Sequence, residues 1–196
     1  MTKGFSLIEL LVVIAIVAVL AVAVVLVLNP AELIKQGRDA TRISDLGTIN
    51  SALSYYLSTA TNPDTSFGVS GFICRNTTNT SSTFTAAGAC TINATRGISG
   101  AGWVAVKLDD ASGGSPLGSL PADPLGTADF GYPYLYAGNG SESAANANTF
   151  ELNARLESTK YRPNMVTDGG NKPATAACVN YQDIDCWYEA GTKLDL

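Results

Sequence analysis

The chain has 196 residues, a net charge of −5, no histidine and only 15% charged residues. That balance offers no bulk basic surface for nucleic acid, and the missing histidine removes the commonest general base and the commonest metal ligand. Four cysteines point to an oxidising compartment outside the cytosol.

The amino end is the most distinctive segment. Residues 10–28 are nineteen consecutive apolar residues without glycine, proline or charge, and as a helix they rise about 28 Å, close to the thickness of a bilayer core. They predict one membrane-spanning helix. An ordinary secretory signal has a shorter apolar stretch, about 7–15 residues, followed by a small-residue cleavage site. Here the basic start is only Met1-Thr2-Lys3-Gly4, and the small residue precedes the apolar run. Cleavage would therefore remove a hydrophilic leader and leave the helix in place. Glu9 stands at the head of that helix, where an ionised carboxylate costs several kcal/mol unless it is paired. Either it snorkels to the headgroups of a plain anchor, or it meets a cation.

Lys3-Gly4, followed by Phe5-Ser6-Leu7-Ile8-Glu9-Leu10-Leu11-Val12-Val13-Ile14-Ala15-Ile16, resembles the class III signal of type IV pilins and pseudopilins. The resemblance covers about the first 60 residues. It implies that a membrane aspartyl prepilin peptidase cuts between Gly4 and Phe5 and methylates the new amino group of Phe5. Glu9 then matches the family's glutamate, which neutralises the terminal amine of a neighbouring subunit and sets the stagger between subunits. Registry of this kind is the best-attested use of a buried ion pair.

Beyond the apolar run, Asn29-Pro30 predicts a kink or a melted turn, because proline removes a backbone donor and disfavours helix at the residue before it. A helix-compatible stretch follows, with apolar residues at Ile43, Leu46, Ile49, Leu53 and Leu57; gaps of three and four make one face that docks on a globular domain. Gly37 and Gly47 weaken this helix, and Asn62-Pro63 ends it. The expected organisation is a leader at 1–4, a membrane and filament-core helix at 5–28, a kinked amphipathic extension at 29–61, and an extracytoplasmic head at 62–196. About 135 residues after position 60 suffice for one modest domain.

Cys74 and Cys90 form one close group and Cys178 and Cys186 another, neither with C-x-x-C spacing. Four cysteines allow three connectivities; pairing within each group is the simplest, with crossed pairing or free thiols as alternatives. The Gly-, Ser-, Thr- and Asn-rich segment 62–102 reads as irregular with short strands. Clearer strand candidates lie at 103–108, 132–137, 149–156 and 185–189, with turn chemistry at 120–126. Phe150-Glu151-Leu152-Asn153-Ala154-Arg155-Leu156-Glu157 alternates as a half-buried strand should. The expected fold is α+β: a long amino-terminal helix packed on a small antiparallel sheet of three or four strands, pilin-like.

No catalytic constellation, phosphate-cradling loop or cofactor motif is present. The acid groups Asp109-Asp110, Asp123 with Asp129, and Asp183 with Asp185 read as solvated loop residues, with a structural calcium as the minority reading. Asn-x-Ser/Thr sequons occur at Asn76, Asn79, Asn93 and Asn139.

Orientation is not set by charge, because Lys35, Arg38 and Arg42 follow the helix as closely as Lys3 precedes it. The cysteines and the resemblance place the leader in the cytoplasm and the head outside. The resemblance implies a non-enzymatic subunit, a single-pass inner-membrane precursor that becomes part of a surface or envelope-spanning filament. Its implied partners are identical subunits, prepilin peptidase, an inner-membrane assembly platform and a motor ATPase, with no nucleic acid for this subunit alone. A type IV pilus subunit and the major pseudopilin of a type II secretion system are the two family readings. A membrane-anchored binding domain that never polymerises is the alternative of another class.

Overall fold

A computed structural model describes residues 4–66, 72–77, 83–84, 88–126, 134–140, 148–171, 178 and 186–196. The first helix, α1 (Leu7–Leu28), is followed after one residue by α2 (Pro30–Thr59). Asn29 separates them in the left-handed conformation, with φ 42° and ψ 75°. Asparagine tolerates this geometry better than most residues, and Pro30 can occupy the first position of α2 because that position needs no intrahelical donor. The Asn29 carbonyl accepts from Glu32 N at 2.9 Å and starts the new ladder.

The strands are β1 (Phe72–Asn76), β2 (Thr83–Phe84), β3 (Gly88–Ala89), β4 (Thr91–Ile92), β5 (Leu135–Asn139), β6 (Thr149–Ala154) and β7 (Tyr188–Gly191). Five of them make one sheet in the order β4-β1-β5-β6-β7, while β2 and β3 pair separately. All neighbours in the large sheet are antiparallel except β4, which runs parallel to β1 at the edge. A short helix, α3 (Asn164–Thr167), lies between β6 and β7. The fold is thus α+β and pilin-like in plan, a long helix on a mostly antiparallel sheet.

The helix-facing side holds the main core. Leu46, Ile49, Leu53 and Tyr56 of α2 pack with Tyr136, Phe150, Leu152 and Ala154 of the sheet, and with Trp103 and Leu120 from the long connection before β5. Ile43 and Leu57 are partly buried at the two ends of the same face. Its i, i+3, i+4 pattern is what a helix docking on a sheet requires.

Several expectations need correction. Residues 103–108 form no strand: Trp103, Val104, Ala105 and Val106 are all buried in a bent segment, and a 3-10 turn (Leu108–Asp110) follows. The apolar run that resembles a strand is consecutive burial, with its backbone held by Thr95 O and Ile98 O. The sheet takes β1 and β4 instead, from the polar segment expected to be irregular with short strands, so it has five strands rather than three or four. β5 lies two residues later than its candidate at its described end, and β7 likewise extends past 189.

Strand β6 is not half-buried, because its second face is also covered. Leu196, Trp187, Cys74, Leu135 and Ala137 make a smaller cluster on the side away from α2. There the Glu151 carboxylate accepts from Leu196 N at 2.8 Å and from Asn153 Nδ2 at 2.9 Å. Glu151 thus satisfies the Asn153 amide N–H beside it in β6 and the backbone of the residue that covers it. Gly138 in β5 is required by a close approach. Its missing Cβ leaves room for the Thr65 carbonyl, which accepts from the Tyr136 hydroxyl.

Candidate functional site: the amino-terminal helix and its anchorage

Gly4 and Phe5 precede the helix in non-helical, exposed backbone, and nothing lies within 4 Å of where a Cβ on Gly4 would be. Ser6 is extended, with φ −74° and ψ 142°, and serves as the N-cap of α1. Its N–H donates to a Glu9 carboxylate oxygen at 2.9 Å, while its carbonyl accepts from Leu10 N at 3.2 Å. An acid at the third helical position reaching back to the cap backbone satisfies an otherwise unpaired donor, and its charge complements the positive end of the helix dipole. Glu9 therefore has a partner inside its own chain. A carboxylate has about four acceptor positions, so this bond leaves capacity for a cation.

The rest of α1 offers only apolar surface. Residues Leu7–Val25 have a mean hydropathy of 3.2 and none of that window is buried. Burying one Val, Leu or Ile side chain is worth about 1.5–3 kcal/mol. A helix presenting such residues on every side belongs in lipid or among other helices.

Besides the apolar face of α2, a set of buried charges absent from the sequence-based expectations ties α2 to the head. Arg42 of α2 is fully buried. Its Nε donates to Asp123 Oδ2 at 2.6 Å and its Nη2 to Asp123 Oδ1 at 3.1 Å; its Nη1 donates to Asp39 Oδ1 at 3.0 Å and to Glu157 Oε1 at 2.6 Å. Arg38 completes the group, gripping Glu157 at 2.8 Å and 2.5 Å. Asp39, also fully buried, accepts from Glu157 N and Ser158 N at 2.7–3.0 Å. One turn of α2 is thereby tied to both the 120–126 turn and the chain leaving β6. Burial disfavours the Arg42 charge, but Asp123 and Glu157 outweigh that and raise its pKa. Burial likewise pushes the Glu157 carboxyl up, and the two arginines more than reverse this, leaving it below its ordinary value. Arg42, Asp39, Asp123 and Glu157 are desolvated and paired, as burial demands.

Further along α2, Asp45 accepts from the Tyr134 hydroxyl at 2.7 Å. Burial raises its pKa despite that bond. Tyr55 OH donates to Ser112 O at 2.5 Å and fixes the far end of the helix.

The cysteines pair as Cys74–Cys90 and Cys178–Cys186. The first bond joins β1 to the residue before β4; the second stands beside Leu156 and Met165. Pro30 lies at the helix break, one residue past the left-handed Asn29. Among the described residues no group of three or more acidic or cysteine side chains is placed to hold a metal ion. Asp123 is taken by Arg42, Asp109 and Asp110 are exposed, and Asp129, Asp183 and Asp185 lie outside the described residues. Of the sequons, Asn139 is buried in β5 and cannot carry a glycan in the folded state. Asn93 donates its amide to Ala101 O and Gly102 O, Asn76 lies in β1, and Asn79 is outside the described residues.

Comparison with known families matches residues 1–25 to the prokaryotic N-terminal methylation motif, the class III signal typical of type IV pilins and pseudopilins. Neither the curated proteins nor the solved structures gave a match.

Proposed function

We propose that this chain is a structural subunit of a type IV pilus-like filament, synthesised as a membrane-anchored precursor and polymerised through α1. The observation that carries the reading is the conjunction of the methylation motif at residues 1–25 with an apolar helix whose Leu7–Val25 stretch is not buried. A prepilin peptidase would cut between Gly4 and Phe5 and methylate Phe5. The new cation would then stand four residues from Glu9, whose carboxylate already faces the first turn. Pairing it with Glu9 of a neighbouring helix would neutralise both charges and fix the axial register. Helix-to-helix burial would replace the lipid that α1 leaves. An assembly platform and motor ATPase in the inner membrane would supply the work, and the disulfide-bonded head would face the outside of the filament. The domain limits follow: leader 1–4, core helix 5–28, extension 29–61 and head 62–196.

The same features fit the major pseudopilin of a type II secretion system. Deletion separates the two: loss of long surface filaments supports the pilus subunit, whereas a secretion defect without such filaments supports the pseudopilin. The direct test of polymerisation is electron microscopy of sheared surface material from cells carrying Glu9→Ala. Filament loss with the precursor still present in the membrane supports the proposal. Undiminished filaments would overturn the role of Glu9, and intact function without any assembly would favour a non-polymerising anchored domain.

A further inference from the structure

The first turn of α2 and the loop after β6 meet where the apolar helix joins the head. Glu32 Oε1 accepts from Thr159 N at 2.5 Å and from Thr159 Oγ1 at 2.6 Å, which fixes this loop against the helix one turn beyond Asn29. Lys160 follows, exposed, with its Nζ 4.9 Å from the centre of the Tyr161 ring. The Thr159 hydroxyl holds the Glu32 carboxyl below its ordinary value, against slight burial, helped by the Thr159 amide and the charges of Lys35 and Arg162. Lys35 and Arg162, both half-buried like Tyr161, thus stand near Glu32 together with the exposed Lys160. Leu33 and Ile34, 50% and 61% exposed, carry the apolar surface of α1 past Pro30.

This level is set by geometry. Six residues at 1.5 Å each place Lys35 about 9 Å beyond Asn29, and the headgroup layer on each side of a bilayer is about 5–8 Å thick. With a Debye length of about 8 Å at physiological salt, charges at that height feel the membrane surface. Tyrosine is enriched at the same boundary, its ring in apolar surroundings and its hydroxyl in water.

We propose that Lys35, Lys160, Tyr161 and Arg162 form a collar that seats the head of the unassembled subunit on anionic phospholipid headgroups of the membrane crossed by α1. Charge complementarity and continuity with the apolar surface of α1 select lipid as the occupant. Each cation held near an anionic surface contributes about a fivefold gain in association. The collar orients the head relative to the bilayer and is released when α1 leaves lipid. The inference rests on α1 being a membrane helix, and the test separates the two claims.

The full chain is placed singly in nanodiscs of phosphatidylcholine, with or without a third of the lipid replaced by phosphatidylglycerol. A nitroxide on Val166→Cys, exposed just past the collar, reports proximity to nickel-chelating headgroups; a second on Ala18→Cys reports the depth of α1. The expected result is several-fold faster relaxation at 166 in the anionic discs. Lys35→Gln, Lys160→Gln and Arg162→Gln together should abolish it. Lys107→Gln, beside the 3-10 turn near the far end of α2, should leave it unchanged. Equal relaxation in both lipids with position 18 deep in hydrocarbon overturns the collar alone. Proximity that appears only with two subunits per disc assigns the surface to a second copy and also overturns it. A label at 18 outside the hydrocarbon overturns the membrane reading beneath it.

Discussion

Replacing Arg42 by alanine should release the head from the helix more than any exposed substitution. The magnitude follows from what each carboxylate has left. Glu157 keeps Arg38, and Asp39 keeps the N–H groups of Glu157 and Ser158. Asp123, whose side chain is 3% exposed, keeps the Leu125 N–H at 2.9 Å. Orphaning a buried charge costs about 3–5 kcal/mol, a fall of about 10 °C in Tm for a domain of this size. Arg38→Ala, at a side chain 23% exposed, should cost about 1 kcal/mol. The assay is thermal unfolding of the full chain in detergent, followed by near-UV circular dichroism from the Trp103–Tyr134 pair, whose centroids are 5.5 Å apart. Replacing both partners, Arg42→Met with Asp123→Leu, should cost less than Arg42→Met alone, since no charge is then left unpaired. A loss for Arg42→Ala no larger than for Arg38→Ala would refute the reasoning.

Asp45→Asn should leave the fold as stable or more stable at pH 7. Folding raises the Asp45 pKa through burial, so the ionised form costs stability that appears as pH rises through the interval between its unfolded and folded values, and the gain from the amide should vanish below pH 4. Gly47→Ala should stabilise the isolated subunit by about 0.5–1 kcal/mol in the same melt, because Gly47 is exposed in mid-helix with nothing within 4 Å of an added Cβ. Loss of filaments with that gain intact would show that the residue is kept for packing between subunits.

The parts of this architecture that the sequence made legible are those with strong periodic or compositional signals. Nineteen apolar residues define α1, and Leu46, Ile49 and Leu53 define the buried face of α2, because each signal repeats over several turns. The Asn29-Pro30 break is legible from proline stereochemistry. Arg42 and Asp39 were not legible as core residues, since a charge on a helix usually marks its solvated side; only the distant Asp123 and Glu157 make their burial tolerable. Residues 103–106 and strand β1 exchanged places for a related reason. Consecutive apolar residues can be buried in any conformation, whereas Phe72-Ile73-Cys74-Arg75-Asn76 becomes a strand through pairing with β5, a contact more than 50 residues away. The covered outer face of β6 likewise depends on residues 192–196 returning to Glu151. For the proposed assembly site, the positions of Gly4, Phe5 and Glu9 are local and readable; the Ser6 N–H that Glu9 accepts from is visible only in three dimensions.

The central claim is that α1 is the polymerising element, exposed by cleavage at Gly4 and Phe5. Mass spectrometry of the amino-terminal peptide from purified high-mass assemblies tests it most directly. The predicted result is a peptide beginning at N-methylated Phe5. Assemblies whose subunits still begin at Met1, or cleavage that removes the apolar helix, would contradict it.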